Sequence, residues 1–263
     1  MKLLLKLRYN GGNYAGYQAQ ADYPSVQETL TGAVSDCFGR RCTVTGCSRT
    51  DAGVHALGFV AAVEPYGEHE ENWLTVPVGK VHRALSKFLP DDISVCGEAA
   101  ADDDFHPRYS VKRKTYVYRM YDTPYADPFL EGRAWHLKRP LTDAMIARMN
   151  EAAEAIVGRH DFTSLMAAGS KITDAEREVY SLSVGRKPDG TVELSVTADG
   201  FLYNMVRIIT GTLVDTAYGT TEPGEIAGII ASRDRTKAGR TAPAGGLYLA
   251  DVEYDREIGW IIE

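Results

Sequence analysis

The apolar residues of this chain switch repeatedly between a period of two and a period near 3.6, and that alternation points to a mixed α/β fold. In "MKLLLKLRY", Leu3, Leu5 and Leu7 fall on one face of a strand and Leu4, Lys6 and Arg8 on the other. After a turn-rich loop with aromatic tips, "GGNYAGYQAQADYP", Ser25 and Glu28 stand at capping-box spacing. Val26, Leu30, Ala33, Val34, Cys37 and Phe38 then recur at helical spacing up to Gly39, a natural C-terminal stop. "CTVTGC" and "LGFVAAV" read as strands, a helix is expected around 78–88 before Pro90, and "ISVCGEAA" reads as another strand. The order is strand, helix, strand, strand, helix, strand.

The second half repeats this vocabulary. "RYSVKRKTYVYRMYD" is a long strand, and residues 142–157 form an amphipathic helix with Ala144, Met145, Met149, Ala152, Ala153 and Ile156 on one side. "REVYSLSVGRKPDGTVELSVTADG" is a hairpin turning at Pro188-Asp189-Gly190. Helices over 203–217 and near 223–232 follow, and "GGLYLADVEY" closes as a strand. Two α/β halves are expected, residues 1–105 and 106–263.

Composition narrows the function classes. No apolar run approaches the roughly 20 residues of a membrane span. The opening "MKLLLKLRYNGG" starts like a secretion signal, but Lys6 and Arg8 break its apolar run and no small-residue cleavage site follows. Cys37, Cys42, Cys47 and Cys96 contain no C-x-x-C pair, and 263 residues build a core without disulfides, so reduced thiols in a cytoplasm are expected. The six histidines are dispersed without helical H-x-x-x-H spacing, so no metal site is expected. Neither a P-loop nor a strand-linked G-x-G-x-x-G proposes a nucleotide cofactor.

A formal net charge of −7 argues, taken alone, against a polyanionic partner. The charge is unevenly distributed. Residues 64–72 and 97–104 are acidic and are expected on the outer surface, whereas 106–119 hold Arg108, Lys112, Arg113, Lys114 and Arg119 without an acid. Fields are local, so an acidic protein can present one basic face, to which Arg8, Arg49, Arg207 and Arg240 would add.

Four places can carry chemistry. Asp51 follows Arg49 and Thr50 between two strands; it either caps its own turn or acts as an ionised nucleophile or general base. Alternation puts Arg49 on its face, opposite charge favours the carboxylate, and Gly53 permits close approach. His55 reads as structural. Tyr116 and Tyr118 share a strand face with Lys112 and Lys114, which suits either core aromatics or a base stacked beside a phosphate. Arg207 lies within the apolar "FLYNMVRIITGTLVDTAYG", where it either reaches solvent or meets a carboxylate or phosphate. Arg240 precedes a Gly-Gly strand entry in "AGRTAPAGGLYL" and reads as loop.

Together, "SRTDAGVHA", "FHPRYSVKRKTYVYR", "FLYNMVRIITGTLVDTAYG" and "APAGGLYL" resemble, in order and approximate spacing, the tRNA pseudouridine synthase A family over nearly the whole chain. Ser48 departs from the Gly that commonly precedes R-T-D. The resemblance implies two halves, each a mainly antiparallel sheet flanked by helices, around a central basic cleft. It implies that Asp51 is the catalytic aspartate, Arg49 its pairing arginine, Tyr116 the active-site tyrosine and Arg207 an active-site arginine, with Tyr116, Arg108, Lys112, Lys114 and Arg240 binding substrate. The reaction implied is conversion of uridine to pseudouridine at positions 38, 39 and 40 of the tRNA anticodon arm by a cytoplasmic homodimer.

That chemistry breaks the C1′–N1 bond, turns the uracil and joins C1′ to C5. No electron or external group is transferred, so no redox cofactor is called for. The base must first leave its stack. Asp51 would then attack C1′, attack C6 or remove the 2′ proton. Two rivals are a tRNA-binding module without catalysis and a glycoside hydrolase. The first has no use for Arg-Thr-Asp together, and the second needs a paired carboxylate.

Overall fold

The structure, a computed structural model, describes residues 1–67, 73–169 and 172–261. It comprises two compact units: Met1–Lys112 with Leu249–Glu263, and Arg113–Tyr248.

In the first unit, β1 (Lys2–Tyr9) leads to α1 (Val26–Phe38), β2 (Cys42–Gly46), β3 (His55–Pro65), α2 (Val81–Leu85) and β4 (Ile93–Ala101). The pairings of β1 with β3, β1 with β4 and β2 with β3 are antiparallel. Helix α1 begins where expected. The Ser25 hydroxyl accepts from the Glu28 N–H at 3.2 Å, and Gly39 closes the helix in the left-handed region (φ +64°). The helix packs on β2 and buries Val26, Leu30, Ala33, Val34 and Phe38. Leu3, Leu4, Leu5 and Leu7 are fully buried, with Leu3 opposite Val63 and Leu7 opposite Phe59 on β3.

Helix α2 covers less than the expected 78–88, and Gly79 at φ +96°, outside helical space, keeps it from starting at 78. The acidic segment 97–104 also departs from expectation. Asp102, Asp103 and Asp104 are exposed, but Glu98 is fully buried. Its carboxylate accepts from the Val81 and His82 N–H groups (3.1 and 3.3 Å) and lies 2.6 Å from His82 Nδ1. A carboxylate is retained inside only with such partners, and here it marks the start of α2. Of the other acidic segment, residues 68–72 lie outside the described residues.

The second unit takes its strands from β5 (Val111–Tyr121), β6 (Trp135–His136), β7 (Gly158–Asp161), β8 (Glu176–Arg186) and β9 (Val192–Ala198). Between and after them come α3 (Asp143–Glu154), α4 (Met205–Ala217) and α5 (Ile226–Ser232). The strand order β5-β9-β8-β7 is antiparallel throughout, and β6 adds parallel to β5. The β8–β9 hairpin turns at 188–190 as expected, with Gly190 at φ +84°. Strands β6 and β7 escaped the periodicity, being only two and four residues long. In α3 the buried side chains are Ile146, Met149, Ala152 and Ala153, while Ala144 is exposed. Ala144 lies roughly 140° around the helix from Met149, so the apolar stripe begins at Ile146. Asp122 and Arg186 make a bidentate pair (2.9 and 3.0 Å) beside the start of α3.

Helix α4 buries far more than a stripe, with Thr210, Thr212 and Thr216 inside. Each hydroxyl donates to the carbonyl four residues back, which removes the cost of burying it. The final strand, β10 (Leu247–Tyr254), has its residues from Leu249 onward in the first unit, next to β3. The expected class therefore holds: mainly antiparallel sheet with flanking helices. No helix among the described residues is long and apolar enough to cross a membrane.

Candidate active site

In the first unit the Arg-Thr-Asp segment runs between β2 and β3 and is seated on residues 14–17. The Tyr17 N–H donates to the Thr50 carbonyl (3.1 Å), and the Gly53 N–H donates to the Tyr14 carbonyl (3.3 Å). Gly16 makes this approach possible. It sits at φ +104°, and a Cβ there would lie 2.5 Å from the Thr50 carbonyl oxygen. The Val54 N–H donates to the Asp51 carbonyl (3.1 Å), closing a tight turn whose third residue, Gly53, has φ +78°. That positive φ is what the turn requires of Gly53.

Burial along the segment alternates. Arg49 is exposed, Thr50 is buried and Asp51 is partly exposed. Thr50 is therefore the inward residue, between two charged neighbours that are more accessible than it is. The Thr50 hydroxyl shares a 2.8 Å hydrogen bond with the Tyr9 hydroxyl. His55 is 2% exposed and its Nδ1 accepts from the Gly11 N–H at 3.0 Å, the satisfied structural histidine that was expected.

Of the basic run, Arg108 and Lys112 belong to the first unit and are exposed. Lys112 lies 3.6 Å from Glu253, with both side chains open to solvent. His106 is held below the usual histidine range by burial and by the positive charges of Lys2 and Arg108.

In the second unit, Tyr116 and Tyr118 lie on one face of β5, as alternation required. Tyr116 is 6% exposed and meets Phe201 edge-on, with centroids 5.1 Å apart. Lys114, one of the cations on that face, is partly exposed. Tyr118 is fully buried, and its hydroxyl donates to the Pro243 carbonyl (2.7 Å). Burial pushes this phenol far above its usual range, and the nearby Arg207 charge acts in the opposite direction.

Arg207 emerges from the first turn of α4. Its Nε donates to the Ala242 carbonyl (2.8 Å) and its Nη1 to Asn204 Oδ1 (2.6 Å), while the Ala242 N–H donates back to the Arg207 carbonyl (3.1 Å). Asn204 precedes the helix in the left-handed region (φ +59°), one of the few side-chain types that enters it readily. The guanidinium is thus fixed from its own helix and from the 240–243 loop. Arg240 is exposed, with its guanidinium 4.9 Å from the centre of the Trp135 ring. Burial raises the Asp215 carboxyl, against the charge and backbone N–H of Arg240.

Sequence reasoning missed Tyr9, Phe201, Asn204, Trp135 and Asp215. Asn204 alone carried a local signal, as a polar residue one position before an apolar helix. The others meet their partners only through the fold. Among the described residues no group of three or more His, Cys, Asp or Glu side chains is arranged to hold a metal ion.

A family model described as tRNA pseudouridine synthase matches residues 152–255. A tRNA pseudouridine synthase A of Ruminiclostridium cellulolyticum is 42% identical over 253 residues, 96% of this chain and 99% of the relative. Proteins of the same name from Thermoanaerobacter sp. and Bacillus subtilis are 40% and 39% identical, spanning 96% and 97% of this chain and 99% and 100% of their own. A solved structure titled "Crystal Structure of a Cbf5-Nop10-Gar1 Complex" aligns at 10% identity and TM-score 0.35 over 94% of this chain and 58% of that one, a likeness too slight to define a shared fold.

Proposed function

This chain belongs to the tRNA pseudouridine synthase A family, an isomerase family, and we propose that it converts uridine to pseudouridine at positions 38, 39 and 40 of the tRNA anticodon arm. The observation that carries this reading is the Arg49-Thr50-Asp51 segment, with its central residue buried and its two charged residues more accessible, held in place by the backbone geometry of Gly16 and Gly53. A turn cap needs no arginine two residues earlier and no buried anchor between. Asp51 supplies the carboxylate that opens the glycosidic bond, and Arg49 pairs with it and helps hold the base out of its stack. Tyr116 stacks on the base or shares a proton with it, and Arg207 contacts a phosphate. Arg108, Lys112, Lys114 and Arg240 bind the tRNA backbone. The C1′–N1 bond breaks, C1′ bonds to C5, the C5 proton leaves and N1 gains one, so atoms balance without a cofactor. The same reading makes the protein a cytoplasmic homodimer in which one tRNA contacts both subunits.

The test is release of tritium from tRNA carrying C5-tritiated uridine, with the product mapped by position. Wild type is expected to release tritium only from tRNAs with uridine at 38, 39 or 40. Asp51→Asn is expected to release none while binding tRNA within about tenfold of wild type, or about 1.4 kcal/mol. Turnover by a sequence-verified Asn variant, or product at other positions, overturns the reading.

A further inference from the structure

We propose that Tyr9 is a positioning residue for Asp51, acting through the buried hydroxyl of Thr50; this rests on the catalytic reading of Asp51. Thr50 stands between two charged residues that are more accessible than it is, and is itself 7% exposed. Its hydroxyl shares a 2.8 Å hydrogen bond with Tyr9, which is 4% exposed, and its carbonyl accepts from the Tyr17 N–H. The residue before Asp51 is therefore held at two atoms, one on the side chain and one on the backbone.

What makes this more than loop packing is where Tyr9 comes from. It is the last residue of β1 and pairs with Ala56 on β3, the strand that the Asp loop enters. Its ring lies 5.7 Å from Phe59 on the same strand, tilted by 59°. The hydroxyl is thus carried by the sheet rather than by another loop. Thr50 is also β-branched, so few χ1 rotamers are open to it, and a hydroxyl bonded in one of them fixes the backbone from which Asp51 departs. Both hydroxyls belong to buried residues, so removing either breaks a bond that water does not readily replace. Positioning matters in proportion to the geometric demand of the reaction, and small misplacements of a reacting group cost large factors in rate.

The experiment measures kcat and KM for tRNA by tritium release, with thermal midpoints, for Tyr9→Phe, Thr50→Val, Thr50→Ser and the Tyr9→Phe/Thr50→Val double variant. Tyr9→Phe and Thr50→Val are each expected to lower kcat about tenfold, with KM within about twofold of wild type. Thr50→Ser keeps the hydroxyl and is expected to restore most of the rate. The double variant should be no slower than the slower single one, since both remove the same bond. The proposal is overturned by a wild-type kcat in Tyr9→Phe, by a rise in KM without loss of kcat, or by two losses that multiply. If Tyr9→Phe does not fold, Thr50→Val against Thr50→Ser decides it, and equal rates overturn it. Asp51→Asn is run alongside. A silent wild type removes the functional reading and this inference with it, whereas an active wild type, a silent Asn variant and an unaffected Tyr9→Phe remove this inference alone.

Discussion

Replacing Gly16 with Ala tests whether the Asp loop is seated on residues 14–17, and Gly39→Ala supplies the control. Both glycines have positive φ, +104° and +64°, so an L side chain is strained at each. That strain is of order 1–2 kcal/mol, partly offset by the stiffer unfolded chain. The sites differ in what surrounds the added carbon. At Gly39 nothing lies within 4 Å, whereas at Gly16 the new Cβ would sit 2.5 Å from the Thr50 oxygen, 3.2 Å from the Asp51 carbonyl carbon and 3.3 Å from the Ala52 nitrogen. All three are backbone atoms, which cannot swing aside as a side-chain tip can. Relief therefore requires the loop itself to move, breaking the Tyr17–Thr50 hydrogen bond of 3.1 Å. Gly39→Ala should cost about 1 kcal/mol. Gly16→Ala should cost about 3 kcal/mol, the sum of strain, steric clash and one lost buried hydrogen bond. Urea denaturation at constant m gives both values. Gly16→Ala should also lose pseudouridine formation at temperatures where it remains folded, and Gly39→Ala should keep it. Equal destabilisation by the two substitutions would refute the seating of the loop.

Changing Lys112 and Lys114 together to Gln should lower the log–log salt slope of tRNA binding by roughly one to two units. The pair of Lys112 with Glu253 at 3.6 Å is exposed and leaves that lysine available to phosphate, so an unchanged slope would remove the basic strand from the RNA-binding surface. Tyr116→Phe separates the two roles of that ring: a proton-transfer role predicts a loss of about 10²–10⁴-fold in single-turnover rate, and a stacking role predicts little loss. Asp122 offers a test by pH. Burial alone would raise its carboxyl, but the bonds from Arg186 and the Leu141 N–H outweigh it and hold the group below the usual aspartate value. The stabilisation is therefore full above that usual value and is lost as pH falls through the lower folded one. Asp122→Asn should cost about 1–3 kcal/mol at neutral pH, and its deficit should shrink in acid; a deficit that does not change with pH would refute the assignment.

Everything that the sequence determined by itself is local in the chain. The Ser25 cap and Gly39 stop of α1, the 188–190 hairpin turn and the strands either side of Arg49-Thr50-Asp51 each follow from a few adjacent residues whose spacing matches one backbone geometry. The same holds for the short segments that carry the family likeness. What the tertiary structure decided involves residues far apart in sequence. Nothing near Glu98 signals that its carboxylate is buried at the start of α2, and nothing near Arg240 signals Trp135. Helix α4 reads as a stripe but is buried nearly all round, because its threonines bond to their own helix and the 239–242 loop lies across it. Gly16 reads as a flexible loop residue until the Thr50 carbonyl arrives from another segment. Residues 249–263 group with the first unit, a placement set by strand pairing rather than by any local pattern. Tyr9 and Thr50 show the same limit: each hydroxyl is ordinary in sequence, and only the register of β1 on β3 brings them to 2.8 Å. Local chemistry fixes which backbone a segment adopts, but a side chain's partner is set by long-range packing, which leaves no short pattern to read.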